Sequence, residues 1–277
     1  MSAFSEVVGQ EPAVAALESQ LARTGGAGST LVVGPEGVGR FLLARCAAAS
    51  ILGPAVRSDL TVLESSAGID GVRAAREALA RKPLEGPRQV LILRDADRFS
   101  HEAHNAMLKT LEEPPADASI FLIARGAEFL PETVVSRCRV VRARPLSDAQ
   151  CAALTGLDED LAADAEGSPG RAVFHAASGA AVEATAVLEM LDRPAGDPLG
   201  RVDKLARRKS GEESKEHRNR MVEVLRVVAA RLRRRLPDEE GRLRLVVEAL
   251  GSIQANANAP IVFSELVLDP WKKTPKN

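Results

Sequence analysis

Aromatic side chains are scarce: no tyrosine, one tryptophan and seven phenylalanines make up 3% of 277 residues, so aliphatic side chains must build most of any core. Cysteine is scarcer still. Cys46, Cys138 and Cys151 are odd in number and far apart, which argues against a disulfide framework and implies free thiols in a reducing compartment. An excess of either charge is also missing. The 37 basic and 38 acidic residues leave a net charge of −1, which argues against a protein that coats nucleic acid through bulk charge, though a local basic patch remains compatible with it. No apolar run is long enough to span a bilayer and no leader pattern opens the chain, so a cytoplasmic location without membrane association is expected. Repeats and low-complexity tracts are absent.

What is present is ordinary for a globular protein, 45% hydrophobic and 27% charged, and long enough for two or three domains. The chain is organised around residues 94–115, RDADRFSHEAHNAMLKTLEEPP. Four apolar residues at 90–93 precede this stretch and read as a short buried strand. An acidic, polar turn with Asp95, Asp97 and Arg98 then leads to Ser100, a good N-cap, with Glu102 in the first helical turn. Ala103, Met107, Thr110 and Leu111 share one helical face, and Pro114 and Pro115 end the helix. A buried strand that delivers acidic residues at its C-terminal end is where P-loop NTPases hold Mg²⁺.

The other half of such a site lies upstream. Residues 30–33 read as a buried strand, followed by GPEGVGRF at 34–41 and a helical run, LLARCAAASIL. Gly34 and Gly39 have the spacing that the strand–glycine loop–helix of a P-loop requires, with Gly37 between them. A working loop continues with Lys for the β/γ-phosphates and Ser or Thr for Mg²⁺. Here Arg40 and Phe41 stand in those places: Arg40 still offers a cation, but Phe41 has no oxygen for a metal. Further apolar runs at 60–63, 120–124 and near Val140 alternate with amphipathic helices within 4–22 and at 71–81. This pattern predicts a parallel α/β domain with helices on both faces.

Beyond Pro145 the character changes to Ala-rich helix. Residues 146–163 predict one or two short helices, and Ser168 with Pro169 marks the start of another. From about 181 onward all is helical, with loops at 196–200 and 209–213. Leu225, Val228 and Leu232 form an apolar stripe that runs into RRRLP, and a second carries Leu243, Val246, Val247, Leu250 and Ile253. A last apolar segment, 261–268, closes the fold.

Taken together, FSEVVGQEPAV, GPEGVGR, the strand end at Asp95 and Asp97, HNAMLKTLEEPP, SRC at 136–138 and GSPGRA near Arg171 resemble the AAA+ subunits of the bacterial replicative clamp loader. The resemblance holds by motif over about the first 180 residues and by pattern beyond them. Within that family the chain is most similar to delta prime, the member that does not hydrolyse ATP. The resemblance implies a fold of α/β followed by all-α: an AAA+ P-loop-like parallel sheet domain over 1–144, a helical lid over 145–180 and a helical collar over 181–277. In the motor subunits the strand ends in Asp-Glu, for metal and water; those positions are Arg94 and Asp95 here. The residue expected to sense the γ-phosphate, near Arg125, is not Ser or Thr either. Losses on three elements imply a degenerate P-loop (Gly34, Gly37, Gly39, Arg40) and no productive ATP–Mg²⁺ site in this chain. Relatives also carry a four-cysteine zinc module after the P-loop helix. The interval from Cys46 to Leu60 holds a single cysteine, so no tetrahedral site can be assembled there and no zinc is expected.

The same resemblance makes Arg137 of SRC an arginine finger that reaches a neighbouring subunit's ATP, a role worth about 10³–10⁵ in rate. An isolated Arg at a strand entrance would instead pair with a local carboxylate. Arg171 matches the lid sensor position, with a structural role expected since its own pocket holds no nucleotide. His101 and His104 lack a third ligand, so solvent-facing histidines are expected rather than a metal pair. Arg231, Arg233, Arg234 and Arg235 are expected at a solvated helix end, where cations suit the dipole. Arg73, Arg76 and Arg81 lie on a predicted helix that by resemblance could face DNA through sequence-independent phosphate contacts. The implied partners are the motor (gamma/tau) and delta subunits and, through them, the sliding clamp and primer–template DNA. The alternative is an active P-loop AAA+ ATPase that uses Arg40 in place of Lys.

Overall fold

Alternation along short aliphatic strands explains the first half of the chain. The computed structural model describes residues 3–53, 58–192 and 197–272, and the chain divides after Gln150 into two units. In the first, β1 (Gly28–Val33), β2 (Leu60–Leu63), β3 (Gln89–Leu93), β4 (Ala118–Ala124) and β5 (Arg139–Arg142) pair in parallel in the order β2-β3-β4-β1-β5. Successive side chains point to opposite faces, so a sheet covered on both sides needs apolar residues at every position of its central strands. β3 and β4 are buried at each residue. Val32, Ile92 and Phe121 meet α1 (Glu11–Thr24) and α2 (Arg40–Leu52) on one face. Leu31, Leu91 and Leu122 meet α3 (Gly68–Leu79), α4 (His101–Glu112) and α5 (Glu132–Val135) on the other.

The caps fall where the side chains dictate. Ser100 Oγ accepts from the Ala103 N–H at 3.2 Å and starts α4, and the buried Ala103, Met107, Thr110 and Leu111 form its inner face. α3 begins at Gly68, directly after a 3₁₀ turn at Ser65–Ala67, and ends at Leu79. Arg81 therefore lies past the helix that was expected to carry it.

The second unit is helical: α6 (Asp148–Thr155, crossing the division), α7 (Glu159–Asp164), α8 (Pro169–Ser178), α9 (Ala180–Asp192), α10 (Pro198–Ala206), α11 (Ser214–Arg233), α12 (Glu240–Gln254) and α13 (Ala259–Lys272). Ser168 Oγ accepts from the Arg171 N–H at 3.3 Å and caps α8 as its sequence predicts. Of the loop expected at 196–200, residue 196 lies outside the described residues. Asp197 caps α10 through the Gly200 N–H at 3.0 Å, so helix begins at Pro198. α11 is buried on nearly every side from Arg220 to Leu232 and acts as the unit's axis, with α9 and α12 packed on it. Met190, Leu191, Met221, Leu225 and Phe263 fill the core around it.

The arginines at the end of α11 are partly solvated, as expected, but each also pairs with a carboxylate of the same unit. Arg231 binds Asp164 of α7 through Nε at 3.0 Å and Nη2 at 2.6 Å, and Arg234 binds the same carboxylate. Arg233 pairs with Glu166 at 2.5 Å and Arg235 approaches Asp192 at 3.7 Å. The sequence-based expectation missed these pairs because the partners lie about 40 to 70 residues away in the chain, at the ends of other helices or just beyond them.

Candidate functional site

The glycine loop leaves β1 through backbone conformations that glycine alone tolerates well. Gly34 has φ +154° and a Cβ there would run into the Ala143 carbonyl at the end of β5, while Gly37 and Gly39 have φ +81° and +99°. Gln10, almost wholly buried, locks this turn to the neighbouring strand end. Its Nε2 donates to the Val38 carbonyl at 3.2 Å and the Arg144 carbonyl at 2.6 Å, and its Oε1 accepts from the Arg144 N–H at 2.9 Å. That role was not read from the sequence, although Gln10 lies within the VVGQ opening.

Arg40 opens α2 and is 7% exposed, with Nη1 left without a hydrogen-bond partner. Burial pulls its guanidinium below the usual arginine value, opposed by the carboxylates of Asp95, Glu36 and Asp97. Phe41 and Arg94, the residues expected from the sequence at the two metal-ligand positions of a P-loop, pack on each other. The Arg94 guanidinium carbon sits 4.6 Å from the Phe41 ring centroid, and Nη1 is 2.6 Å from Glu64. Asp95 turns the chain with φ +49° into a 3₁₀ turn at Ala96–Arg98. The buried Asp97 carboxylate takes Arg125, 2.5 Å from Nε and 3.3 Å from the backbone N–H, and Arg125 also lies over Phe129 at 4.7 Å. Cations and carboxylates at the ends of β1, β3 and β4 thus compensate one another within the chain. In a working site a bound metal and phosphates would share that compensation.

Arg137 follows α5 at the entrance to β5, its side chain 30% exposed. Its Nε and Nη2 donate to Oε2 of Glu112 at 3.1 and 2.9 Å, and Nη1 donates to the Thr133 carbonyl at 2.9 Å. The pairing with a local carboxylate that an isolated arginine would make is therefore present, and the carboxylate belongs to the LEEPP end of α4.

Arg171 lies in the second unit. Its side chain faces Glu223 at 3.5 Å and Glu166 at 3.7 Å, and Nε and Nη2 have no hydrogen bond. Glu223 also meets the fully buried His175 at 2.8 Å. His101 is exposed as expected, its Nδ1 3.0 Å from Asn105 Nδ2, but His104 turns inward and bonds the Ala96 carbonyl through Nε2 at 2.8 Å. Among the described residues no group of three or more His, Cys, Asp or Glu side chains is arranged to hold a metal. On α3, Arg73 pairs with Asp70 at 3.4 Å and Arg76 donates to Thr110 at 3.0 Å, so two of the three candidate DNA-facing cations are occupied within the unit.

Residues 55–147 match the family described as DNA polymerase III, delta subunit. Among curated proteins, DNA polymerase III subunit delta' of Escherichia coli K12 is 42% identical over 77 residues, covering 28% of this chain and 23% of that protein. DNA polymerase III subunit tau of Bacillus subtilis 168 is 28% identical over 157 residues, 49% of this chain and 28% of that one. The replication factor C small subunit of Staphylothermus marinus is 30% identical over 147 residues, 52% and 44% of the two chains. The chain thus matches less than half the length of each of these relatives. A crystal structure of a DNA polymerase III gamma subunit-related protein from Thermotoga maritima has the same fold, with TM-score 0.54 at 18% identity over 94% of this chain and 99% of that one.

Proposed function

We propose, from this chain's similarity to clamp-loader subunits, that it is a non-hydrolysing AAA+ subunit of the delta prime kind. In this reading it serves in the cytoplasm within a DNA polymerase III clamp loader, beside the motor (gamma/tau) and delta subunits. It lends Arg137 to the ATP of an adjacent motor subunit while the assembly places the sliding clamp on primed DNA. A helical lid at 145–180 follows the sheet domain, and the collar at 181–277 joins the chain to the assembly.

One observation supports the non-hydrolysing role above the rest: Arg94 stacks on Phe41, so a cation–aromatic pair stands where metal ligands are needed. A divalent ion beside Arg94 would meet a like charge and no oxygen from either side chain. Catalysis in trans needs only a guanidinium aimed at charge developing on the γ-phosphate. A second reading, an active ATPase, draws on the unpartnered Nη1 of Arg40, which leaves a donor free at the loop.

Two measurements test these readings. Titration of the isolated chain with ATP and Mg²⁺ should give neither tight binding nor turnover; tight metal-dependent binding would favour the active ATPase. In a reconstituted loader, Arg137→Ala should assemble normally and lose part of its DNA-stimulated ATPase. Arg137→Lys should rescue poorly, because it keeps the charge and loses the planar fork. A fully assembled Arg137→Ala complex with wild-type rates would remove the finger.

A further inference from the structure

Two acidic residues, Glu112 and Glu113, stand at the C-terminal end of α4, where the helix dipole and unpaired carbonyls favour a cation. Glu112 receives that cation from Arg137. The contact is one-sided: Nε at 3.1 Å and Nη2 at 2.9 Å both donate to Oε2, and Nη1 donates to the Thr133 carbonyl at 2.9 Å. A guanidinium has five N–H donors, one on Nε and two on each terminal nitrogen. These three bonds consume one donor from each nitrogen. The approach of Nη1 to Ser136 Oγ, at 3.5 Å, is too long to engage its second donor strongly. One N–H is therefore left on each terminal nitrogen, and such a pair can take two oxygens of a phosphate at once.

Both supports are anchored below. The Leu111 carbonyl accepts from Ser29 Oγ of β1 at 3.3 Å, and the Glu113 N–H closes the helix on the Lys109 carbonyl at 3.0 Å. On the other side the Arg137 N–H bonds the Val134 carbonyl at 3.2 Å, directly after α5. The guanidinium is thus gripped between the ends of two helices that pack on the sheet.

We propose that Glu112 is a positioning residue for the finger. It grips the Nε side of Arg137 so that the two remaining donors are presented to the γ-phosphate of an ATP held by the adjacent subunit. The proposal rests on the finger reading of Arg137. Its physical content is preorganisation: rotamer freedom of a long side chain is given up on folding rather than at the moment of catalysis. The carboxylate need not leave for phosphate to bind, because the two use different N–H donors.

The test is the DNA-stimulated ATPase of reconstituted loader carrying Arg137→Ala, Glu112→Ala, Glu112→Gln or the Glu112→Ala/Arg137→Ala pair, with assembly verified by gel filtration. Glu112→Ala should lose most of the kcat that Arg137→Ala loses, with little change in KM for ATP. Glu112→Gln, which keeps an oxygen acceptor, should recover part of it. The double variant should be no worse than Arg137→Ala alone. A Glu112→Ala complex with wild-type or raised kcat, or a loss that adds in full to that of Arg137→Ala, would overturn the positioning role. If Arg137→Ala itself kept the wild-type rate, the finger reading would fall first and the proposal with it, a result distinct from either of those.

Discussion

The two units answer their most buried charges differently, although in the sheet unit Arg125 also answers the buried Asp97 carboxylate. In the sheet unit the fully buried acid is Asp59, and backbone amides answer it: the N–H groups of Leu84, Glu85 and Gly86 at 2.7, 2.9 and 2.7 Å, with Gln89 Nε2 at 2.7 Å. In the helical unit the buried charge with the most partners is a cation. Arg220, 4% exposed, donates to Glu212 at 2.8 Å, Glu183 at 2.5 Å and the Arg207 carbonyl at 3.2 Å. Asp164 likewise is answered by Arg231 and Arg234. Secondary structure explains the contrast. The turn at 84–86 has N–H groups to spare, whereas a helix spends most of its own on the i−4 carbonyls. A bundle answers buried charge mainly with other side chains, and so its charges cross between helices.

The comparison breaks most visibly at Arg220. Arg220→Ala would remove the cation shared by Glu183 and Glu212, leaving them Lys209 and His217 as side-chain partners, and removal of one partner from such a buried group costs about 3–5 kcal/mol. Urea unfolding followed by helical circular dichroism should show that loss, and a cost below about 1 kcal/mol would mean the carboxylates find water instead. Asp59→Asn is the counterpart in the sheet unit. It points an amide toward N–H donors and should cost about 1–3 kcal/mol. Hydrogen exchange of the amides at 84–86 should rise in this variant while the helical unit keeps its protection.

Acid should separate the units next. Hydrogen bonding from Arg220 holds the Glu212 carboxyl at about 2, against an ordinary value of 4.5. A depressed carboxyl contributes stability that is fully present above its unfolded value and is lost as pH falls toward the folded one. Stability of the helical unit should therefore decline between about pH 4.5 and 2, and Glu212→Gln should flatten that part of the profile. Asp59 moves the same way. Burial would raise its carboxyl, but the three backbone N–H bonds and the Gln89 amide hold it below the usual range. The smallest effect concerns the thiols. Burial pushes Cys138 up to about 12 and raises Cys46, and Cys151 is fully buried, so reaction with a thiol reagent at neutral pH should be slow until denaturant is added. Rapid labelling of Cys138 in the folded chain would show that the entrance to β5 opens.

Strands and caps were legible because they rest on local rules. The apolar runs at 90–93 and 120–124 lie within β3 and β4, and Ser100 and Ser168 cap the helices they precede. The site was legible in part. The identities of Phe41 and Arg94 follow from counting along two motifs, but their stacking does not, since 53 residues and a strand crossing separate them. Arg137 was legible as a motif residue. Its partner Glu112 was not, although both stand in recognisable motifs, because nothing in the spacing of LEEPP and SRC says that the end of α4 meets the end of α5.

The sequence by itself determined the order of strands and helices along the chain, the change to all-helix after Pro145, and the absence of a side-chain oxygen at Phe41 and Arg94. These follow from residue identity and short periodicity. Only the tertiary structure decided which charges neutralise one another: Arg125 with Asp97, Arg137 with Glu112, Arg231 and Arg234 with Asp164. Electrostatic pairing depends on distance and burial in three dimensions, and residues 25 to 70 apart in the chain reach 3 Å only after the hydrophobic cores have set their elements side by side.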